Sequence, residues 1–312
     1  MNNLLLSFAT VFPMFLYMLV GVGVRKAKVL DQSAMKQVNT LVFKIFLPLS
    51  IFNNIYASEP GDVNPGPVML YAVAFTLAIF ALAWFVFARL EPSRERRGIL
   101  IQNTFRSNFV LFGMPLSLLL LQGRGTGITE ILIAVMIPLF NILAVVILQY
   151  YGEGKTNLSK VLRGIVTNPL IIAAVLGILA KAFELTILTW LNGPFRSMGA
   201  VATPLALIVL GGQFNFRRTG DYIPQLVAGV SARLLIVPVL ALGGAILLGF
   251  RGEVLIAYLA LFASPVAVSS YTMAQQMGGD HELAGQLLVY TSVFCSFTLF
   301  VLIFLLKQFA FI

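Results

Sequence analysis

The sequence predicts an all-α polytopic membrane protein with ten transmembrane helices in a 5+5 inverted repeat. The first observation is composition: of 312 residues, 59% are hydrophobic and 11% are charged, whereas soluble domains are about 45–50% apolar and about 25% charged. The second is that the apolar residues fall in ten blocks, each long enough for the helix of about 20 residues that crosses a bilayer. The third is that five helices in each half force the second half to insert upside down relative to the first. A soluble enzyme is therefore excluded.

The ends of the ten helices follow from the polar, glycine and proline residues between the apolar blocks. Only helices of this kind satisfy their own backbone hydrogen bonds in lipid. We expect the first block to be a retained helix, because no basic residue precedes it as in a signal peptide. The predicted spans are residues 4–24, 38–56, 67–90, 98–121, 128–150, 161–182, 198–214, 224–250, 254–277 and 284–311.

The basic residues predict the orientation of the chain. Its net charge is +9, from 21 basic and 12 acidic residues. Because these charges lie in short loops, we expect them to set membrane orientation, and we expect no nucleic-acid partner. By the positive-inside rule both termini are extracytoplasmic in a multi-pass protein of the cell (inner) membrane. The loops predicted to be cytoplasmic hold Arg25, Lys26, Lys28, Lys36, Arg89, Arg94, Arg96, Arg97, Lys155, Lys160, Arg163, Arg217 and Arg218.

A shift by half the chain length supports the repeat. It lays Pro13 on Pro169 and Pro48 on Pro204, and it superposes the five spans of each half. We therefore predict a first repeat over 1–156 and a second, inverted repeat over 157–312.

The fourth and ninth spans are the most irregular. The fourth carries Arg106, Ser107 and Asn108, followed by the predicted helix breakers Gly113 and Pro115. In the ninth, Pro265 removes a backbone donor in mid-span and disfavours a helical conformation of the preceding Ser264. Two unwound segments that cross near the midplane would each present a helix N-terminus, a positive dipole end, to one small volume.

These two segments carry a family resemblance. Asn103-Thr, Ser-Asn-Phe-Val and Gly-Met-Pro-Leu in the first, with Ser-Pro-Val-Ala and Tyr-Thr-Met-Ala in the second, resemble the crossover helices of the auxin efflux carrier family, which includes plant auxin exporters and bacterial malonate and malate carriers. The resemblance implies the fold of the bile acid sodium symporters, with a scaffold (1–57 and 161–214) that dimerises and a transport or crossover domain (67–151 and 224–311) that moves as an elevator. It also implies a homodimer.

Single residues are carried over by motif. Asn108 matches the crossover asparagine that contacts the substrate carboxylate in the plant exporters, and Pro265 matches the second crossover proline. The plant pattern has proline where this chain has Ser107 and glutamine where it has Val266. These differences put an indole-sized ligand in doubt and leave the fold assignment intact.

Three basic residues, Lys44, Arg106 and Arg233, remain after those of the loops and the span ends are counted, and they lie inside predicted spans. Lys44 either lines the substrate path or extends its amine to the interface, and Arg233 either lines that path or pairs with backbone carbonyls. For Arg106, two residues before Asn108, we expect a role in binding. Since the sequence has no acidic residue in the middle of a span, the excess positive charge predicts a small organic anion as substrate, a mono- or dicarboxylate.

Hydroxyl and amide side chains near the breaks are candidate ligands: Asn108, Ser264, Ser269, Ser270 and Thr272. They could bind the anion, or Asn108, Ser264 and Thr272 could bind sodium, or the hydroxyls could only satisfy backbone groups that Pro265 frees. Asn53, Asn54 and Gln213 are expected to be interfacial. We expect no cofactor and no firm metal site, and coupling to sodium or protons stays open. One His, one Cys and no buried acid argue against an intramembrane enzyme; a sodium symporter of the bile acid type and, further off, a channel or sensor remain alternatives.

Overall fold

The computed structural model describes residues 2–57, 65–121, 127–152, 167–185, 189–213 and 216–312. Within these ranges every named element is a helix, and the only β pairing is one isolated bridge between two helix breaks. The all-α prediction is therefore confirmed.

In the described part of the first half there are seven α-helices, two of them preceded by π-helical turns. The π turns cover Val42–Phe46 and Phe109–Gly113. The helices are α1 (Asn2–Lys26), α2 (Gln32–Leu41), α3 (Leu47–Tyr56), α4 (Gly66–Leu90), α5 (Arg94–Phe105), α6 (Met114–Leu120) and α7 (Gly127–Tyr151).

The second half contains a further seven helices among the described residues. They are α8 (Pro169–Ala182), α9 (Thr189–Gln213), α10 (Ile223–Ser231), α11 (Val237–Leu247), α12 (Gly252–Ala263), α13 (Ser269–Gln276) and α14 (His281–Gln308). A 3₁₀ helix (Phe216–Tyr222) precedes α10, and a π turn (Ala232–Ile236) joins α10 to α11.

Two predicted boundaries differ clearly from the structure. The second span was expected to begin at residue 38, but α2 begins at Gln32. The seventh span was expected to begin at residue 198, but α9 begins at Thr189 and contains Pro194. Its early turns are held by α3, where the Asn53 side-chain amide donates to the Phe195 carbonyl at 2.8 Å. Tertiary contact therefore overrides the local Gly-Pro signal. Residues 161–166, the predicted start of the sixth span, lie outside the described residues.

Among the described residues, five helices are long and apolar enough to cross a membrane by length and composition: Gly66–Leu90, Ile131–Tyr151, Leu191–Gln213, Thr219–Leu247 and His281–Gln308. Two shorter apolar helices, Pro169–Ala182 and Gly252–Ala263, accompany them. The arrangement of ten spans as two inverted halves stays a prediction.

The described helices pack in two groups. In the first, α1 packs on α9 and α3 packs on α8 and α9; in the second, α5 packs on α4 and α7, α11 on α12, and α14 on α10 and α13. Glycine is required where α1 meets α9, because a Cβ added at Gly21 would lie 2.0 Å from the Ile208 carbonyl oxygen, and one at Gly211 2.0 Å from that of Met18. Close backbone approach at small residues is typical of helix contacts in membranes.

Candidate functional site

Two interrupted helices pair with each other through their breaks. α5 ends at Phe105 and helix resumes at Phe109, while α12 ends at Ala263 and helix resumes at Ser269. Between them, Ser107 and Val266 form the isolated antiparallel bridge, and the Asn108 N–H donates to the Pro265 carbonyl at 2.8 Å. Backbone groups that lose their helical hydrogen-bond partners at one break are thus partly satisfied by backbone groups of the other break.

Two predicted helix breakers lie after the first interruption rather than in it. Gly113 is the last residue of the π turn, and Pro115 is the second residue of α6. Proline is tolerated in a first helical turn because the N–H it lacks has no intrahelical partner there. The interruption itself consists of Arg106, Ser107 and Asn108.

A cavity of about 90 Å³ lies against the crossing segments. We call it the crossover cavity. Its walls come from both helix groups, since α3 and α9 of the first group line it together with α7 and both breaks of the second. The lining residues are Leu47, Ser50, Ile51, Arg106, Ser107, Asn108, Phe109, Val110, Ile137, Phe140, Asn141, Thr203, Ala206, Ala267, Val268 and Ser269.

Arg106 brings a positive charge to this cavity. The side chain is buried, and its Nη2 donates to Asn141 Oδ1 at 2.7 Å and to Ser269 Oγ at 2.8 Å, while Nη1 contacts the Met273 thioether. None of these three partners carries a charge. A cation buried among neutral groups is costly and raises the electrostatic potential of its surroundings. The crossover cavity is therefore complementary to a negative charge.

Asn108 and Ser107 add polar atoms without partners. Both residues line the cavity and are buried. Among the described residues, neither Asn108 Nδ2 nor Ser107 Oγ has a hydrogen-bond partner. A buried polar atom left unsatisfied costs about 1–3 kcal/mol, so a polar ligand that reached these atoms would remove that cost.

The remaining predicted site residues lie close by but outside the cavity lining. Pro265 and Val266 contribute backbone to the crossing, and the Ser264 hydroxyl donates to the Ala260 carbonyl of its own helix at 2.5 Å. The Ser270 and Thr272 hydroxyls are buried without a described partner. Of the predicted sodium ligands Asn108, Ser264 and Thr272, the crossover cavity brings in Asn108 alone.

The two other basic residues of the predicted spans also lie outside the cavity lining. Lys44 is exposed, in the π turn after α2. Arg233 is fully buried and donates to the carbonyls of Ser264 at 2.9 Å, Thr104 at 3.1 Å and Leu261 at 3.3 Å. This geometry corresponds to the second of the two alternatives for Arg233, pairing with backbone carbonyls.

Three polar residues of the cavity were not predicted from the sequence: Ser50, Asn141 and Thr203. Asn141 had a usable signal, because it is an amide in the middle of the strongly apolar stretch Ile131–Tyr151, whereas the other amide, Gln149, lies near its end. Ser50 and Thr203 had none, since single hydroxyls are common in membrane helices and only packing between the two helix groups brings them to the cavity.

On one side, the crossover cavity adjoins a larger space. A cavity of about 370 Å³, which we call the vestibule, shares Ser50, Val110 and Thr203 with it and extends to Asn53 and Arg196. The crossover cavity therefore has a polar, basic approach from the end of α9 that carries Arg196.

Towards the Gln213 end of α9, hydrogen bonds join α9 and α2 to α13. Gln213 Oε1 of α9 accepts from the Tyr271 hydroxyl and, at 2.7 Å, from Gln275 Nε2 of α13. Gln276 Nε2 donates to Thr40 Oγ1 of α2 at 3.1 Å. Beyond these contacts lies a polar cavity of about 160 Å³ lined by Gln32, Lys36, Leu210, Gln213, Tyr271, His281, Glu282, Gly285 and Gln286.

Comparison with known families agrees with the motifs at the crossing. Residues 6–303 match the family described as membrane transport protein, a stretch that includes both breaks and every residue of the crossover cavity. No curated protein matches the sequence significantly. The chain therefore belongs to the membrane transport protein family, which is the auxin efflux carrier family that the crossover motifs indicate.

Proposed function

We propose that the protein is a secondary active or potential-driven carrier of small organic anions, which bind as carboxylates in the crossover cavity. One observation carries this proposal: Arg106 is buried, lines the cavity and has neutral partners only. An anion would supply the missing counter-charge, and Asn108 and Ser107 would supply hydrogen-bonding atoms that now have no described partner. Malonate, malate and auxin-like acids are the substrate classes to test.

The size of the crossover cavity favours the smaller acids. Its volume of about 90 Å³ is well below the roughly 300–1,000 Å³ of pockets that enclose drug-sized ligands. A short mono- or dicarboxylate suits this space better than an acid with an indole ring. The departures at Ser107 and Val266 from the plant pattern agree with this preference.

We further propose that transport occurs by relative movement of the two helix groups within a ten-span, inverted-repeat fold. The antiparallel pairing of the breaks is the relationship that an inverted repeat would produce. Residues 1–57 and 161–214 would form a dimerising scaffold, and 67–151 and 224–311 a transport domain. Because the crossover cavity lies between the groups, an elevator-like displacement of the transport domain would carry a bound anion from one side to the other.

With the orientation that the basic loops predict, the vestibule at Arg196 faces the extracytoplasmic side and the Gln213 contacts lie towards the cytoplasm. We therefore infer an outward-facing conformation. The contacts of Gln213 and Gln276 would act as a cytoplasmic gate, which must open before the anion is released inside.

The direct test is uptake into proteoliposomes of labelled malonate, malate and an aromatic acid, with and without a sodium or pH gradient. We expect saturable uptake of at least one short acid, counterflow, and a loss of uptake in Arg106→Gln. Arg251→Gln is the matched control, because Arg251 is an exposed arginine whose hydrogen bonds go to the backbone carbonyls of Ile246 and Phe250, which do not line the cavity. If well-inserted protein neither transports nor binds any of the acids, the proposal is wrong.

Sodium coupling is a second candidate for the same carrier, as in the bile acid symporters. The buried Ser270 and Thr272 hydroxyls, which have no described partner, are the observation in its favour. Uptake that requires sodium on one side would support it, whereas unitary currents without counterflow would indicate a channel.

A further inference from the structure

Three backbone carbonyls lose their helical donors at the two breaks. In an α-helix the carbonyl of residue i accepts from the N–H of residue i+4. The carbonyl of Leu261 would accept from residue 265, but Pro265 has no N–H. That of Thr104 would accept from Asn108, whose N–H donates to the Pro265 carbonyl instead. That of Ser264 lies past the end of α12, where the backbone is extended.

One side chain supplies donors to all three carbonyls. Arg233 Nε donates to Ser264, Nη1 to Thr104 and Nη2 to Leu261, at 2.9, 3.1 and 3.3 Å. The guanidinium is a rigid planar fork of five donors, so it can reach carbonyls of two different helices from one position. Its charge also lies at the C-terminal ends of α5 and α12, where helix dipoles favour a cation.

The approach of α10 to α5 places Arg233 at this point. Asn103 Nδ2 of α5 donates to the Gly229 carbonyl of α10 at 2.8 Å. A Cβ added at Gly229 would lie 2.6 Å from Leu287 Cδ2 and 3.2 Å from Asn103 Nδ2, so a larger residue would displace these side chains. The π turn Ala232–Ile236 follows, and Arg233 is its second residue.

We propose that Arg233 is a positioning residue for the anion site, which fixes the relation of the two broken helices and hence the shape of the crossover cavity. The proposal rests on the function proposed above. The residues that Arg233 contacts are close in sequence to the site: Thr104 is two residues before Arg106, and Ser264 immediately precedes Pro265, whose carbonyl accepts from the Asn108 N–H. Displacing either carbonyl would displace the cavity wall attached to it.

The first experiment compares Arg233→Lys with Arg251→Lys in malonate uptake. Lysine keeps the charge but is a point donor that cannot reach three carbonyls in a fork. Arg233→Lys should lose one or two charged hydrogen bonds, so we expect its half-saturation concentration for malonate to rise about tenfold or more. Its maximal rate, corrected for the amount of inserted protein, should stay within about twofold of the wild-type rate. Arg251→Lys, which alters an exposed arginine bound to the Ile246 and Phe250 carbonyls, changes neither.

A reduced maximal rate with an unchanged half-saturation concentration for Arg233→Lys would show that Arg233 only supports the fold, and would overturn the proposal. Arg233→Gln removes the charge as well and should raise the half-saturation concentration further. If Arg233→Gln does not insert, Arg233→Lys alone decides the outcome.

A second readout needs no substrate. Ala267 lines the crossover cavity, and Ala200 lines the vestibule only. The native Cys295 is buried and donates to the Ala263 carbonyl at 3.4 Å, so Ala267→Cys and Ala200→Cys give single reporters for a thiosulfonate reagent. We expect Arg233→Lys to change the labelling rate of Ala267→Cys about tenfold, as for uptake, and to leave that of Ala200→Cys unchanged. Equal labelling rates of Ala267→Cys with and without Arg233→Lys would overturn the positioning role. Because labelling needs no substrate, this test remains decisive even if the protein transports none of the acids and the proposed function is wrong.

Discussion

Arg106 Nη2 lies 2.7 Å from Asn141 Oδ1, and both side chains are buried at the crossover cavity. A neutral amide thus occupies the position in which a carboxylate would neutralise the guanidinium. Asn141 orients Arg106 without cancelling its charge, so that charge stays available to a ligand.

The first prediction follows from this pair. Asn141→Asp should create an internal ion pair with Arg106 that takes the place of the substrate carboxylate. Because close buried charge pairs couple by several kcal/mol, we expect anion uptake to fall about a hundredfold or more. Initial rates of malonate uptake in proteoliposomes would measure the change.

The control for this variant is Asn141→Leu, which removes the acceptor without adding charge. It should reduce uptake by about tenfold, because one hydrogen bond to a charged group is lost, and the reduction should stay well below that in Asn141→Asp. If Asn141→Asp transports as well as the wild type, Arg106 does not bind the substrate.

The second prediction concerns the cytoplasmic gate. Gln213→Ala removes the acceptor shared by Tyr271 and Gln275, and Tyr271→Phe removes one of the two donors. Since each net hydrogen bond contributes about 0.5–1.5 kcal/mol, the population should shift towards the inward-facing state, more for Gln213→Ala. Val110 lines both the crossover cavity and the vestibule, so Val110→Cys should be labelled more slowly from outside.

Thr219→Val is the matched control for the gate. It removes a hydrogen bond of 3.0 Å between the 3₁₀ helix that precedes α10 and Gln286 of α14, which is not one of the gate contacts, so it should leave labelling at Val110→Cys unchanged. Faster or equal labelling in Gln213→Ala would exclude Gln213 from the gate.

The third prediction concerns a close approach next to the break in α5. A Cβ added at Gly113 would lie 2.6 Å from the Ala260 carbonyl oxygen and from Phe109 Cδ2. Gly113→Ala should therefore push α12 away and destabilise the protein by about 1–3 kcal/mol, with loss of uptake. Thermal unfolding in detergent would show a lower midpoint.

Gly243→Ala is the comparison, because a Cβ at that helical glycine meets nothing within 4 Å. It should be neutral or stabilising by up to about 1 kcal/mol, since alanine favours helix. A midpoint for Gly113→Ala at or above that for Gly243→Ala would contradict the packing at the break.

The fourth prediction separates the roles of Asp280. Its carboxylate pairs with Arg96 at 3.1 Å, and Oδ1 accepts from the Leu283 N–H at 2.9 Å as the N-cap of α14. Asp280→Asn keeps the cap and loses the ion pair. Because the Arg96 and Asp280 side chains are 31% and 13% exposed, this variant should lose at most about 1 kcal/mol of unfolding free energy. Asp280→Ala also loses the cap and the acceptor of a 3.2 Å hydrogen bond from the Tyr222 hydroxyl, and should cost about 1–2 kcal/mol more than Asp280→Asn.

Thermal midpoints at low and high salt would test this. The wild-type advantage over both variants should shrink as salt increases, whereas the difference between Asp280→Asn and Asp280→Ala should stay constant. Equal midpoints for Asp280→Asn and Asp280→Ala would mean that the cap contributes nothing to stability.

Much of the fold could be predicted from the sequence because membranes limit the choices. A helix that crosses lipid satisfies its own backbone hydrogen bonds, so the composition and the apolar blocks predicted the all-α class. The crossover motifs indicated the family. The start of α9 could not be predicted, because the contact between Asn53 and Phe195 that holds its early turns joins residues 142 positions apart.

By itself, the sequence determined the helical membrane class, the family, the breaks near Asn108 and Pro265, and the presence of three basic residues within predicted spans. Only the tertiary structure decided what each of those basic residues touches: Lys44 is exposed, Arg233 holds the carbonyls of two broken helices, and Arg106 faces the cavity beside Asn141. Periodicity and local propensity act over a few residues, whereas the partners of a buried charge come from helices distant in the chain. Packing between the helix groups therefore separates the arginine that positions the site from the one that can bind an anion.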